Sequence, residues 1–579
     1  MRAIFQTMNK RIFFLAIFFA FSTLLAQKQH PKDYFGSPLD IPLVYAGNFC
    51  ELRPNHFHGG LDIKTQNKQG YNVYATAEGY ISCIRTSSYG YGKVLYITHP
   101  NGYTTVYAHL QKFAPSIEKY VKERQYLLEK YEVELEPKPE DFPVKKGDLI
   151  ALSGNTGGSA GPHLHYEIRD TATGNAYNPL LFGYPNEDDV APLVYKVVAY
   201  PLEESSAIEG KQVPKELILA KDKASYTTAK IQAQGKIGIG IQAIDKMTGT
   251  YNTYGVYKVT MSVNGKINFS YTFDELVNGE DPYLNTFIDY PLYVQKGTRV
   301  QLLYKKPYNK LSIYSQADKE GVIEIEDGLT YWITVEVEDF NHNTAIITIP
   351  IEGKKEVITQ KFPEKEGTLL VASRDNMYKT DQATVFFPEN TFFADTYIQV
   401  AQIGDTLSIK APVQPLQKQY NIVFTPTQYT ESELPYVCIA SVKGKGKKYY
   451  QSTYRRDNIL SGRVKTFGKF VLTTDKQAPT LKALNFSKEK NNIANLEQLK
   501  VSVKDDFSGI GKYSATINGK WILMEYEHKE NLLFFTLSDK YFTTDEEYIF
   551  ELTVTDKVGN ESVLSIPLVY KPESQEKKN

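Results

Sequence analysis

Two distant stretches of the chain spell one pattern, and that pattern limits what its C-terminal part can fold into. Asp245-Lys-Met-Thr-Gly249, then Tyr257 and Val263-Asn-Gly-Lys266, is echoed by Asp505-Asp-Phe-Ser-Gly509, then Tyr513 and Ile517-Asn-Gly-Lys520. The ends correspond too. Val335-Glu-Val-Glu-Asp339 with Asn343 and Ile349-Pro350 matches Leu552-Thr-Val-Thr-Asp556 with Asn560 and Ile566-Pro567. An internal repeat of this kind marks two domains of common descent. In each, apolar and polar residues alternate around an Asn-Gly pair, the signal of a tight hairpin, so residues 192–352 and 478–571 are each expected to form a β-sandwich. The first copy holds a longer middle segment, near 275–328. Between the copies, residues 353–477 form another strand-rich block with turns at Pro388-Glu-Asn390 and Lys443-Gly-Lys-Gly-Lys447. That block is expected to be a β-sandwich of unassigned type, its lysine run a solvated hairpin tip.

A chain of 579 residues is too long for one core and should divide into about three to five domains. Its 43 Tyr and 30 Phe, with many Val, Ile and Thr, favour strands over long helices, so a mainly β protein is expected. The formal net charge of −1 calls for neither nucleic acid nor an anionic membrane surface. At the N-terminus, Arg2, Lys10 and Arg11 precede the apolar run Ile12 to Leu25 and small Ala26, which reads as a signal peptide over residues 1–26. Export to the periplasm or cell surface follows. No later segment approaches the ~20 apolar residues of a bilayer span, so none is expected in the mature chain. The tail, 572–579, is polar and expected to be disordered. Three cysteines do not make a disulfide framework: Cys50 and Cys83 can pair and leave Cys438 single, or all three are small buried hydrophobes.

The chemistry is concentrated between residues 30 and 190, where six of the nine histidines fall between positions 56 and 165. Pro115 to Lys130 breaks the β pattern. A helix-start proline and apolar Ile117, Val121, Leu128 and Tyr131 at helical spacing predict a short amphipathic helix within an insertion over 113–143. Three groups carry metal-ligating residue types. In His58-Gly-Gly-Leu-Asp62 two glycines leave room beside a histidine and a carboxylate. In Gly161-Pro-His163-Leu-His165-Tyr-Glu-Ile-Arg169 strand geometry puts both histidines on one face about 7 Å apart. Tyr107-Ala-His109-Leu110 adds a further imidazole. A catalytic zinc usually takes three such ligands and a water, at about 2.0–2.2 Å.

Together with Val144-Lys-Lys-Gly-Asp148 and Ser153-Gly-Asn-Thr-Gly-Gly-Ser-Ala-Gly-Pro162, these groups closely resemble the lysostaphin/LytM-type zinc endopeptidases over roughly residues 50–180. The resemblance implies an antiparallel β-sheet peptidase domain, one Zn²⁺ per chain held by His58, Asp62 and His165, and His109 and His163 as the catalytic pair. It also implies hydrolysis of peptide bonds in peptidoglycan stem peptides or cross-links by metal-activated water. His56 and His99 match neither role. Two departures stand out: Cys50, where such proteins commonly have glycine, and the insertion at 113–143, a lid over the groove or a surface elaboration. The alternative is a non-hydrolytic peptidoglycan-binding or amidase-activating scaffold. The repeated units resemble bacterial immunoglobulin-like domains, and would space the enzyme or dock it to another cell-envelope protein.

Overall fold

A computed structural model describes residues 30–540, 542–544 and 546–572. The expected signal peptide lies outside these residues, as does the tail from 573 onward. The chain is mainly β, 47% strand and 8% helix. Its first unit is built on an antiparallel sheet in the order Tyr45–Gly47, Leu61–Lys64, His163–Asp170, Tyr103–Leu110, Lys93–Thr98, Gly79–Thr86, Val133–Leu135. The central strand, His163–Asp170, shows why. Leu164, Tyr166 and Ile168 are fully buried on one face, and the alternate residues His163, His165, Glu167 and Arg169 line the other. The helix predicted from the apolar spacing runs Pro115–Leu128 and buries Ile117, Val121 and Gln125.

The two repeated units share a strand order. In the first, Thr344–Gly353, Thr330–Glu338, Lys258–Val263 and Lys266–Thr272 are successive neighbours. In the second, Glu561–Val569, Glu547–Asp556, Ile510–Ile517 and Lys520–Ile522 take the same places. Both Asn-Gly turns have positive φ at each residue, Asn264 48° and Gly265 79°, Asn518 51° and Gly519 71°, the condition for a hairpin turn matched to strand twist. Between the repeats, sheets of six and five strands enclose one core, with the lysine run at the tip of the hairpin Val437–Lys443 and Lys447–Gln451.

The first two units do not bury their apolar surfaces separately. Phe49, Cys50, Phe57 and Ala176 belong to the core of the second unit, packed with Val259, Phe269, Phe273 and Phe287. Met247 and Tyr254 are in turn part of the core of the first. Strand Ala176–Tyr177 pairs on one side with the central strand and on the other with Glu275–Leu276 from the long middle segment. All three cysteines are free thiols, and the pairing considered for Cys50 and Cys83 is not formed. Cys50 is instead enclosed in that shared core.

The last unit folds back onto the first. Lys93 pairs with Glu525 at 2.9 Å. Tyr126 meets Trp521 edge-on with centroids 5.2 Å apart, and Tyr89 lies 4.5 Å from the His528 ring.

Candidate metal centre

The sheet register assembles the site. Asp62 on Leu61–Lys64 lies directly opposite His165, and opposed side chains on one sheet face have Cβ atoms about 4.5–5.5 Å apart. His58 arrives through the two glycines that follow it. A Cβ at Gly60 would stand 2.1 Å from the Tyr166 carbonyl oxygen, and one at Gly59 3.0 Å from Glu167 Oε1. Only a bare backbone passes this close to the central strand.

Three donor atoms converge as a result. Asp62 Oδ1 lies 2.9 Å from both His58 Nε2 and His165 Nδ1, and those two nitrogens are 3.0 Å apart. All three residues are buried. Zinc bonds of about 2.0–2.1 Å in a tetrahedron put ligand atoms about 3.3 Å apart. The trio therefore fits a metal ion after a spreading of a few tenths of an ångström.

Each donor is aimed by a further partner. His58 Nδ1 donates to the Asn48 carbonyl at 2.7 Å, so Nε2 presents its lone pair inward. His165 Nε2 donates to Glu167 Oε1 at 2.7 Å. Glu167 is fully buried and also accepts from the Tyr91 hydroxyl and the Arg169 guanidinium. Arg53 donates to Asp62 Oδ2 at 2.9 Å, leaving Oδ1 for the centre. Such outer hydrogen bonds fix tautomer and ring orientation at metal sites. In the metal-free chain burial opposes ionisation of Asp62, yet the charge of His58 when it is protonated and hydrogen bonds from the three histidines hold its carboxyl well below the usual range.

The remaining two histidines border this centre. His163 Nδ1 donates to the Gly161 carbonyl at 2.8 Å, and its Nε2 lies 3.3 Å from Asp62 Oδ1. His109 sits at a left-handed φ of 59°. Alternation along Tyr103–Leu110 would send its side chain to the face opposite Ala108, which pairs with His165. The positive φ breaks that alternation, and the ring comes to rest with its centroid 4.8 Å from that of His163. His109 Nδ1 donates to the Thr156 carbonyl at 2.9 Å. Burial, reinforced by His165 and His163, pushes its pKa down to about 3, so the ring is neutral.

All five residues singled out in the sequence are thus brought together, and the other two histidines of the region are not. His56 is exposed, and His99 is buried against the Glu78 carbonyl and the Thr105 hydroxyl. Sequence reasoning missed Asn48, Arg53, Tyr91, Glu167 and Arg169. The period-two alternation after His165 was the available signal for Glu167 and Arg169.

Residues 56–129 and 134–179 match the family model described as Peptidase family M23, and residues 367–475 match a Zu5-like domain. An uncharacterized metalloprotease of Haemophilus influenzae is 38% identical over 134 residues, 23% of this chain and 22% of that protein. The peptidoglycan DD-endopeptidase ShyB of Vibrio cholerae is 35% identical over 111 residues, 19% of this chain and 20% of that protein. Among solved structures, the catalytic domain of the antimicrobial peptidase lysostaphin from Staphylococcus simulans covers 24% of this chain and 90% of that one, at 23% identity and a TM-score of 0.18. The chain thus spans about a fifth of the length of these curated relatives.

Proposed function

We propose, from the premise that the first unit is an M23-type peptidase domain, that the chain is an exported zinc metalloendopeptidase acting on peptidoglycan peptides in the cell envelope. The observation that carries this reading is the complete donor set: Asp62 Oδ1, His58 Nε2 and His165 Nδ1 within 3.0 Å of one another, each fixed by an outer partner. The likeness to a peptidoglycan DD-endopeptidase of Vibrio cholerae supports the substrate class. A bound zinc would lower the pKa of a water molecule towards neutrality and polarise the scissile carbonyl.

The chain's own residues supply the rest. His58, Asp62 and His165 hold the ion, and Asn48, Arg53 and Glu167 keep those three in place. His109, neutral and donating through Nδ1 to Thr156, offers Nε2 as acceptor for a proton of the attacking water. His163, its Nδ1 donating to the Gly161 carbonyl, steadies the charge that develops on oxygen once Nε2 also carries a proton, donating as an imidazolium.

The test separates ligand from catalyst. His58→Ala and His165→Ala should lose zinc, whereas His163→Ala should keep one zinc per chain and lose at least about a hundredfold in turnover of defined peptidoglycan fragments. Wild-type protein that holds zinc but releases no fragment from chemically distinct peptidoglycans would overturn the hydrolase reading.

A further inference from the structure

The internal repeat carries something the peptidase chemistry does not use. In the first copy Asp188, Asp245 and Asp339 gather with carboxylate oxygens within 4.8 Å of one another, and in the second Asp475, Asp505 and Asp556 do the same. The two clusters are built alike. Asn343 Nδ2 donates to Asp339 Oδ2 at 2.7 Å and to the Asp188 carbonyl at 3.0 Å. Asn560 Nδ2 donates to Asp556 Oδ2 at 2.6 Å and to the Asp475 carbonyl at 3.0 Å.

Each cluster also contains buried oxygen with nothing to bind. Asp245 is only 2% exposed and its Oδ1 has no hydrogen-bond partner; Asp188 Oδ2 beside it has none either. In the second copy Asp475, 5% exposed, has an unpartnered Oδ2, as does the buried Ser508 hydroxyl. No Lys or Arg among the described residues forms an ion pair with any of the six carboxylates. Unpaired buried carboxylates are costly. Burial, then the charges of Asp339 and Asp188, push the Asp245 pKa up to about 8.

We propose that each repeat holds one calcium ion, bound by Asp188, Asp245 and Asp339 in the first and by Asp475, Asp505 and Asp556 in the second. The donors are all hard oxygens, which suits calcium and not a thiolate- or imidazole-seeking metal. Asp188 lies in the segment leading into strand Leu193–Pro201, and Asp475 follows strand Gly468–Thr474 on the way to Thr480–Ala483. Each ion therefore ties the incoming connection to two loops of the unit it enters, and fixes that unit against the one before.

Calcium bound by the zinc-loaded full chain is measured by equilibrium dialysis with elemental analysis. Two calcium ions per chain are expected, one in Asp245→Asn, and none when Asp505→Asn is added, with zinc content unchanged throughout. Calcium should raise the wild-type unfolding temperature and leave that of the double variant unmoved. Asp188→Asn, in the connecting segment, serves if Asp245→Asn does not fold. No uptake by wild type up to about 10 mM calcium, or uptake undiminished in the double variant, would overturn the proposal. So would an Asp245→Asn chain that is more stable while wild type stays indifferent to calcium, which identifies a merely repulsive cluster.

Discussion

Glu167 shows how much of the centre depends on a residue that touches no metal. It is fully buried and receives hydrogen bonds from His165, Tyr91 and Arg169. Glu167→Gln removes the charge that holds the His165 imidazole in place, and should weaken zinc affinity about 10–100-fold, measured by competition with a chromophoric chelator. His165 itself gives a pH signature. Burial works against its proton, but hydrogen bonds to Asp62 and Glu167 prevail and raise its pKa from 6.5 to about 9 in the metal-free chain. Zinc must displace that proton. Apparent zinc affinity should therefore rise about tenfold per pH unit up to pH 9 and level off above it. The sign for stability is the reverse. A raised folded-state pKa contributes stability that is complete below 6.5 and is lost as pH rises through 9. Unfolding temperatures of metal-free protein across that window should fall, while those of the zinc-loaded form should not follow the same course. His163 and His165 were legible from their two-residue spacing on one strand. His58, Asp62 and His109 were legible only from the order of motifs that carries the family resemblance, since His58 enters through two glycines and His109 through a positive φ. Asn48 and Tyr91 were not legible, because both sit in loops outside the strands and their roles arise from contacts with distant segments that no local pattern encodes.

At the scale of elements, the helix Pro115–Leu128 was readable from its proline and apolar spacing, but its outward partner was not. Tyr126 packs edge-on against Trp521 of the last unit, a contact between residues that sit in unrelated patterns. Aromatic pairs of this geometry contribute about 0.5–1.5 kcal/mol beyond burial. A double-mutant cycle with Tyr126→Ala and Trp521→Ala, read by denaturant unfolding, should return a coupling of that size. Additive losses would mean that the helix and the last unit do not dock in solution. The same docking reaches the site through the loop Gly154–Gly161. Lys529 donates to the Asn155 and Ser159 carbonyls, while Thr156 and Gly161 in that loop orient His109 and His163. The strands of the C-terminal units were legible from alternation and the repeat, since period two is a local property.

At the scale of the molecule, a boundary near residue 190 is a reasonable reading of composition, but it is not a boundary of packing. Phe49, Cys50 and Phe57 lie in the core of the second unit, and burying a side chain such as Phe57 is worth about 1.5–3 kcal/mol. A fragment spanning residues 30–190 should therefore be insoluble or molten by near-UV circular dichroism, whereas residues 30–352 should fold. Contacts of this kind come from tertiary fit, and a hydrophobic residue in a sequence does not state which unit it will join.

That shared core also sets an order of assembly. A chain emerging from the ribosome has made all three side chains of the proposed zinc site once residue 165 is out. The carbonyl that aims His58 belongs to Asn48, and the Asn48 amide both accepts from the Gly255 N–H and donates to the Gly255 carbonyl. Phe57 waits for Phe273 and Phe287. Contacts so far apart in sequence form late and slowly. The nascent protein thus carries a full set of ligands but an unfinished seat for them until about half its length has been synthesised.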